Sequence, residues 1–184
     1  ILLDCGMFQG MGVQTLELNS QWGFEPRELN YVIISHGHID HIGLLPKLVK
    51  DGYKGPIYCT TQTADLAKIL LMDSARIQEA DVMHINKQRK KQGRPMVEAL
   101  YTEDDAQNVF PLLKTLGYNE PLQIDNDVEL LYTDCGHIIG SAAVSLKIKE
   151  HGKVSRLTFS GDVGRYNDLI LRSPEVFPQA DYII

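Results

Sequence analysis

The chain has 184 residues, 43% of them hydrophobic, and a formal net charge of −6, which suits one domain with a core of ordinary size and excludes a disordered chain. No apolar run approaches the ~18 residues of a membrane-spanning helix, and the acidic balance argues against a surface that coats nucleic acid generally, unless acidic residues bind divalent cations whose charge offsets them. Cys5, Cys59 and Cys135 are odd in number and widely spaced, which excludes a disulfide framework and makes the reducing cytoplasm the default compartment.

Residues 1–5 are apolar and run into Asp4-Cys5-Gly6, a strand followed by a turn. Ile1-Leu2-Leu3 reads as a strand entered midway and Ala180-Asp181-Tyr182-Ile183-Ile184 as one cut off at its end, so the chain is expected to be a piece of a longer protein. Residues 7–30 hold Gly10, Gly12, Gly23 and Pro26 with little periodicity and predict a loop with a short helical turn. Tyr31-Val32-Ile33-Ile34-Ser35 is a continuous apolar run, the pattern of a buried strand. Between Asp40 and Lys50, Ile42, Leu45, Leu48 and Val49 recur at helical spacing and predict a helix, in which Pro46 is tolerated if it lies in the first turn. Pro56–Thr60 is the next strand. Thr61 or Thr63 is then expected to cap a long helix from about Ala64 to Lys91, with Leu66, Ile69, Leu70 and Ile77 on its apolar stripe. Thr102-Glu103-Asp104-Asp105 is a capping box with Asp in its last place, opening a helix expected to reach Leu116 before Gly117. Strand character follows at 129–133, 143–148, 155–160 and 181–184, with 143–149 and 154–160 paired as an antiparallel hairpin. Strands at both ends with helices between them predict a layered α/β fold of mixed strand direction.

The chemistry concentrates in His36-Gly37-His38-Ile39-Asp40-His41, directly after a buried strand. Three of the six histidines of the chain lie here. Imidazole and carboxylate are ligands of zinc and similar divalent ions. In an extended segment His36 and His38 point to one side and can reach one ion, while Asp40 and His41 can face a second. A His-rich polar loop without a metal is the bland alternative, but unpaired buried imidazoles and carboxylates are costly. His137, in Asp134-Cys135-Gly136-His137, and Asp162, in Ser160-Gly161-Asp162, stand at two later strand ends; ligands gathered from several strand ends make a plausible site.

These residues resemble the metallo-β-lactamase superfamily, whose HxHxDH signature stands at 36–41. The resemblance runs along nearly the whole chain through Leu3-Asp4-Cys5-Gly6, Asp40-His41-Ile42-Gly43-Leu44-Leu45-Pro46, Gly136-His137-Ile138-Ile139-Gly140-Ser141-Ala142 and Phe159-Ser160-Gly161-Asp162-Val163-Gly164-Arg165. The flanks are most similar to the β-CASP branch, which processes RNA and includes ribonuclease J and the endonuclease subunit of the cleavage and polyadenylation specificity factor. The resemblance implies an αββα sandwich present only in part. Residues 1–184 would be the N-terminal portion, with the β-CASP insertion, the C-terminal remainder and the last His ligand of the second metal beyond it. It implies two divalent metal ions, zinc first and manganese second. His36, His38 and His137 would hold one and Asp40 and His41 the other, with Asp162 bridging and Asp4 orienting the signature loop from behind. Asp40 would be the catalytic residue, orienting the attacking water or taking its proton.

The implied activity is a metal-dependent ribonuclease with an RNA substrate, no membrane and room for a homodimer. The alternatives are a (thio)ester metallohydrolase of the glyoxalase II kind, a DNA-processing β-CASP nuclease, or a non-catalytic binding subunit. Lys87, Arg89, Lys90, Lys91 and Arg94 are read as a solvated helix end before an RNA contact, and Arg165 as a salt-bridge partner before a phosphate contact. Cys5 and Cys135 are read as buried packing, Ser141 as a partner of backbone, and His84 and His151 are given no role.

Overall fold

Alternation along short strands sorts this chain into layers. The computed structural model describes residues 1–10 and 13–184, with the backbone alone at residues 13 and 16. Strands β1 (Leu2–Leu3), β2 (Val32–Ile33), β3 (Ile57–Thr60) and β4 (Leu113–Leu116) form a parallel sheet in that order. Strands β5 (Leu122–Gln123), β6 (Val128–Asp134), β7 (Ala142–Glu150), β8 (Lys153–Phe159) and β9 (Tyr182–Ile183) form a second sheet, antiparallel except for the β8–β9 pair. Val32, Ile34, Ile57 and Cys59 pack on the helical side with Leu45, Leu48, Ala64, Ala67 and Leu71. Ile33 and Tyr58 face the other way, onto Val128, Leu130, Tyr132, Val144 and Leu146 of the second sheet. Period-two alternation thus gives the parallel sheet two buried faces, as parallel sheets require. The result is a helical layer and two sheets, three layers of an αββα sandwich.

The helices are α1 (Val13–Ser20), α2 (Ile39–Ile42), α3 (Leu45–Lys50), α4 (Thr61–Lys91) and α5 (Glu103–Gln107). Several differ from the sequence reading. The region 7–30 contains a full helix, α1, rather than a turn, and Gly12 lies outside the described residues. The single helix expected over 40–50 is two: α2 ends at Gly43 and α3 begins at Leu45 with Pro46 in its first turn. Proline has no N–H to donate back to α2, so the first turn of a new helix is where it fits. Thr60, rather than Thr61 or Thr63, caps α4, its hydroxyl accepting from the Thr63 amide. The buried stripe of α4 is Thr63, Ala64, Ala67, Leu71 and Ala75, while Ile69 and Ile77 are exposed. Small residues flanking Leu71 let the helix lie close to the sheet, while Ile69 and Ile77 fall outside the contact.

The Thr102–Asp105 capping box forms with both of its bonds, but α5 stops at Gln107. Pro111 ends helical propagation, Phe110–Leu112 tighten into a 3₁₀ turn, and Leu113–Leu116 pair with β3. The hairpin appears as expected, with Glu150 opposite Lys153. Its two turn residues, His151 and Gly152, have φ of 49° and 75°, the signature of a type I′ connection.

Candidate metal centre

The strand ends of both sheets meet at one rim. β1 delivers Asp4, whose carboxylate fastens the start of the histidine segment. Oδ1 accepts the Ser35 amide at 2.7 Å, and Oδ2 accepts the Ser35 hydroxyl at 2.6 Å and faces Nδ1 of His41. The stretch after Asp4 lies against α2: the Cys5 amide donates to the His41 carbonyl and the Met7 amide to the Ile39 carbonyl. A Cβ at Gly6 would sit 1.5 Å from the Asp40 carbonyl oxygen, so only glycine permits this approach. β2 leads into His36, which is fully buried. Its Nδ1 meets the Ser35 hydroxyl at 3.0 Å, which turns Nε2 outward to lie 2.9 Å from His38 Nδ1.

The second sheet brings two loops. His137 lies between β6 and β7, and its amide and that of Ile138 both donate to the Ser141 hydroxyl, at 3.0 and 3.2 Å. The Gly140 carbonyl of the same loop accepts the Thr60 hydroxyl at 2.7 Å and the Thr63 hydroxyl at 3.0 Å, which ties the loop to the start of α4. Tyr118 donates to the Ser141 carbonyl. Asp162 follows β8. Its loop is stitched to the first by the Gly164 amide on the Cys135 carbonyl and by the Cys135 thiol on the Asp162 carbonyl. A Cβ at Gly164 would lie 1.8 Å from the Gly136 oxygen.

One set of donor atoms comprises His36 Nε2, His38 Nδ1, His137 Nε2 and an oxygen of Asp162. His137 Nε2 is 3.3 Å from His38 Nδ1 and 3.3 Å from Asp162 Oδ2, and His36 Nε2 is 3.9 Å from the same oxygen. The other carboxylate oxygen, Oδ1, looks away from this set to His41 Nε2 at 3.6 Å, and His41 Nε2 is 3.9 Å from Asp40 Oδ2. All six residues singled out from the sequence therefore come together, with Asp162 facing both groups and Asp4 behind His41. Asp4, His36 and His41 also lie close enough to form a ligand group. Both Asp4 oxygens are already engaged by Ser35 and His41, so we read Asp4 as a hydrogen-bond hub.

The donor set fits a cation. His38 Nδ1 faces two ring nitrogens at once, and one ring hydrogen cannot bridge both pairs. Tetrahedral ligation at about 2.0–2.1 Å separates donor atoms by about 3.3 Å, within the span of the distances above. Burial, with the neighbouring His41 and His38, pushes the His36 pKa down to about 3, which keeps the imidazole neutral and able to ligate. Burial acts in the same direction on His41, but the hydrogen bond and charge of Asp4, with Asp40 and Asp162, outweigh it and raise its pKa.

Residues 1–182 match the family described as the metallo-beta-lactamase superfamily. The chain belongs to the metallo-β-lactamase superfamily. Among curated members of related sequence, ribonuclease TTHA0252 of Thermus thermophilus is 33% identical over 184 residues, covering all of this chain and 37% of that protein. Transcription termination factor FttA of Methanocaldococcus jannaschii is 30% identical over 186 residues, covering all of this chain and 27% of that protein. An RNase J-like protein of the same organism is 30% identical over 165 residues, covering 89% of this chain and 30% of that protein. This metallo-β-lactamase chain thus spans about a third of the length of the relatives it matches.

Other residues weighed in the sequence fall into place. Cys5, Cys59 and Cys135 are buried free thiols, and burial raises the pKa of each, that of Cys59 to about 12. Ser141 serves backbone amides, as expected. Arg165 is 88% exposed and reaches Asp168 at 3.9 Å. The sequence reading missed Ser35, Thr60, Thr63 and Tyr118 as supports of the site. Ser35 had a signal, since it adjoins the motif. The threonines had only a capping signal, and nothing local links them to a carbonyl 77 and 80 residues away. No helix among the described residues is long and apolar enough to cross a membrane.

Proposed function

We propose that this chain carries the cation-binding part of a ribonuclease of the β-CASP branch, one that hydrolyses RNA phosphodiester bonds. The observation that carries this is the convergence of His36, His38, His137 and Asp162 from two sheets, with His41 and Asp40 on the other side of Asp162. The choice of RNA is supported by the relatives, which are a ribonuclease, a transcription termination factor and an RNase J-like protein. Their greater length leaves room for a β-CASP insertion and a C-terminal remainder, and the activity belongs to the longer protein.

His36, His38 and His137 would hold one divalent ion and Asp40 and His41 another, with one oxygen of Asp162 toward each. Zinc suits the mixed imidazole–carboxylate set best, and manganese is the second candidate. When bound, such ions supply Lewis-acid stabilisation of the phosphoryl group and lower the pKa of water. The chain's own residues do the rest. Asp4 holds Nδ1 of His41 and so presents Nε2 to the site. The Asp40 side chain is 59% exposed at the rim, placed to orient a water or accept its proton. His36, fully buried, forms the floor of the site. Three buried free thiols support a reducing compartment such as the cytoplasm.

The test uses the full-length protein with end-labelled single-stranded RNA and matched DNA, with zinc, manganese or chelator. Expected is metal-dependent cleavage of RNA that disappears in Asp40→Ala while the fold is kept. No cleavage of either polymer with metal bound would overturn the reading in favour of a small-ester hydrolase.

A further inference from the structure

Helix α4 begins at the donor loops and ends far from them. Thr63 holds Gly140, three residues from His137, and the Leu66 side chain fills the space in front of Gly37, where a Cβ would meet it at 3.1 Å. The last fully buried residue of the helix is Ala75, and the turns beyond it leave the core. The chain then folds back on the helix and is pinned there. Asn86 grips the backbone of Val97 at both polar groups, donating to its carbonyl at 2.8 Å and accepting its amide at 2.9 Å. Arg89 Nε donates to the Pro95 carbonyl, and the Gln92, Gly93 and Arg94 amides close on Gln88, Arg89 and Lys90 carbonyls. The tip is a finger of defined shape rather than a frayed helix end.

Its charge is unlike that of the rest of the chain. Five Lys and Arg residues fall between Lys87 and Arg94, and no Asp or Glu occurs from Val82 to Val97, in a chain of net charge −6. Lys87, Lys90, Lys91 and Arg94 are exposed, and among the described residues none of the four pairs with an acidic side chain. Lys87, Lys90 and Lys91 share one helix face by their spacing. Cations at a helix C-terminus gain about 0.3–1 kcal/mol from the dipole, but only within the last turn. That accounts for Lys90 and Lys91 and leaves Lys87 and Arg94 unexplained. Like charges four residues apart, as at Lys87 and Lys91, cost about 0.2–0.5 kcal/mol, so the cluster is not there for the stability of the helix.

We propose that this basic finger is a second RNA-contacting surface, which grips the phosphate backbone of the substrate at a distance from the donor cluster. The proposal rests on the ribonuclease reading. From Thr63 to Lys87, at about 1.5 Å per residue, the helix rises about 36 Å. A strand stacked at about 3.4 Å per nucleotide needs about ten nucleotides to span that length. The finger therefore adds affinity to long RNA and nothing to short RNA.

The experiment compares the full-length protein with its Lys87→Gln/Lys90→Gln/Lys91→Gln/Arg94→Gln variant. Binding is measured to labelled single-stranded RNAs of about thirty and about four nucleotides, on either side of the span, over a range of salt concentrations. Hydrolysis of bis(p-nitrophenyl) phosphate is measured alongside. Expected is a loss of about tenfold or more for the long RNA, with the slope of log K against log salt shallower by about 0.7 for each phosphate contact removed. The short RNA and the small diester are unaffected. Unchanged affinity and slope for the long RNA would overturn the proposal and leave a solvated helix end or a site for an acidic protein. Equal losses for both RNAs would also overturn it, by putting these residues at the cleavage site. A wild-type protein that cleaves no RNA at all would instead sink the ribonuclease reading beneath it.

Discussion

The two sheets bring their donor residues to the rim in different ways. The parallel sheet has strands of two to four residues, and its donors follow one strand in a single run, His36 to His41. They are held by side chains: Asp4 from the neighbouring strand binds Ser35 and His41, and Ser35 binds His36. The antiparallel sheet has three strands of seven to nine residues, and its donors, His137 and Asp162, sit on separate loops. These are held by their own main-chain groups, the Gly164 amide on the Cys135 carbonyl and the Gly140 carbonyl under the Thr60 and Thr63 hydroxyls. Exposure does not follow this division: His36 is buried at 1% and Asp40 of the same run is 59% exposed, while His137 and Asp162 stand at 26% and 47%. The difference suggests that the first half is preorganised by a hydrogen-bonded network, and that the second depends on contacts distant in sequence and is completed when a cation joins the halves.

The largest expected effect is at the junction. On the proposed function, Asp162→Ala, removing the residue that faces both groups, should lower bound metal from the two ions proposed per full-length chain and slow RNA cleavage by about 10³-fold or more. Elemental analysis and initial rates would read this, and retention of two ions would contradict the bridging role. Chelation comes next. Loss of ligands bound well above their Kd removes about 3 kcal/mol of stability, or roughly 6–12 °C in Tm for a chain of this size. Hydrogen exchange should rise more in 135–141 and 160–165 than in 36–42, and an equal rise would erase the contrast between the sheets. Asp4→Asn keeps an acceptor for the Ser35 amide but frees His41, and should weaken cation affinity about 10–100-fold in a chelator competition with little change in fold.

The double change Thr60→Val/Thr63→Val releases the Gly140 carbonyl and should cost about 2 kcal/mol by denaturant titration. It should loosen His137 without disturbing His36, and the Ser counterparts should restore both. The smallest effect belongs to Asp51, in the helical layer of the parallel sheet, where its carboxylate accepts from Trp22 and Lys47 at 2.6 Å each. Partial burial raises its pKa, but the bonds to Lys47 and Trp22 prevail and hold it below the ordinary value. Its contribution is therefore present above the unfolded-state pKa and is lost as pH falls through the depressed folded value. Asp51→Asn should cost about 1 kcal/mol at neutral pH after allowance for solvent screening, with wild type and variant converging in acid. A constant gap across that range would show that charge is not the cause.

The residues that converge at the rim could be read from the sequence because their chemistry is written locally: four stand within six positions, and His137 and Asp162 each adjoin glycines at a strand end. The layered α/β class followed from period and order in the same way. What could not be read depended on contacts. The helix expected across 40–50 breaks ahead of Pro46, and that expected to reach Leu116 stops at Gln107, ahead of Pro111; in each case the apolar spacing continues while the backbone cannot. On α4 the large residues Ile69 and Ile77 outweighed the alanines that make the contact, because hydrophobic weight is not closeness of fit. The clamp on Gly140 joins residues 77 and 80 positions apart, and no local pattern reports such a pair.

The contact of Gly6 with Asp40 and that of Gly164 with Gly136 bear on how substitutions in this protein are interpreted. Each glycine is a place where two main-chain segments cross, at Gly6 a loop against α2 and at Gly164 two loops, with no room for even a methyl group. A saturation screen of the chain would return Gly6 and Gly164 as intolerant positions beside the histidines, although neither has a side chain to offer a metal or a substrate. A variant at either position that abolishes function would be scored as an active-site lesion on its phenotype, when its defect is one of clearance between main chains.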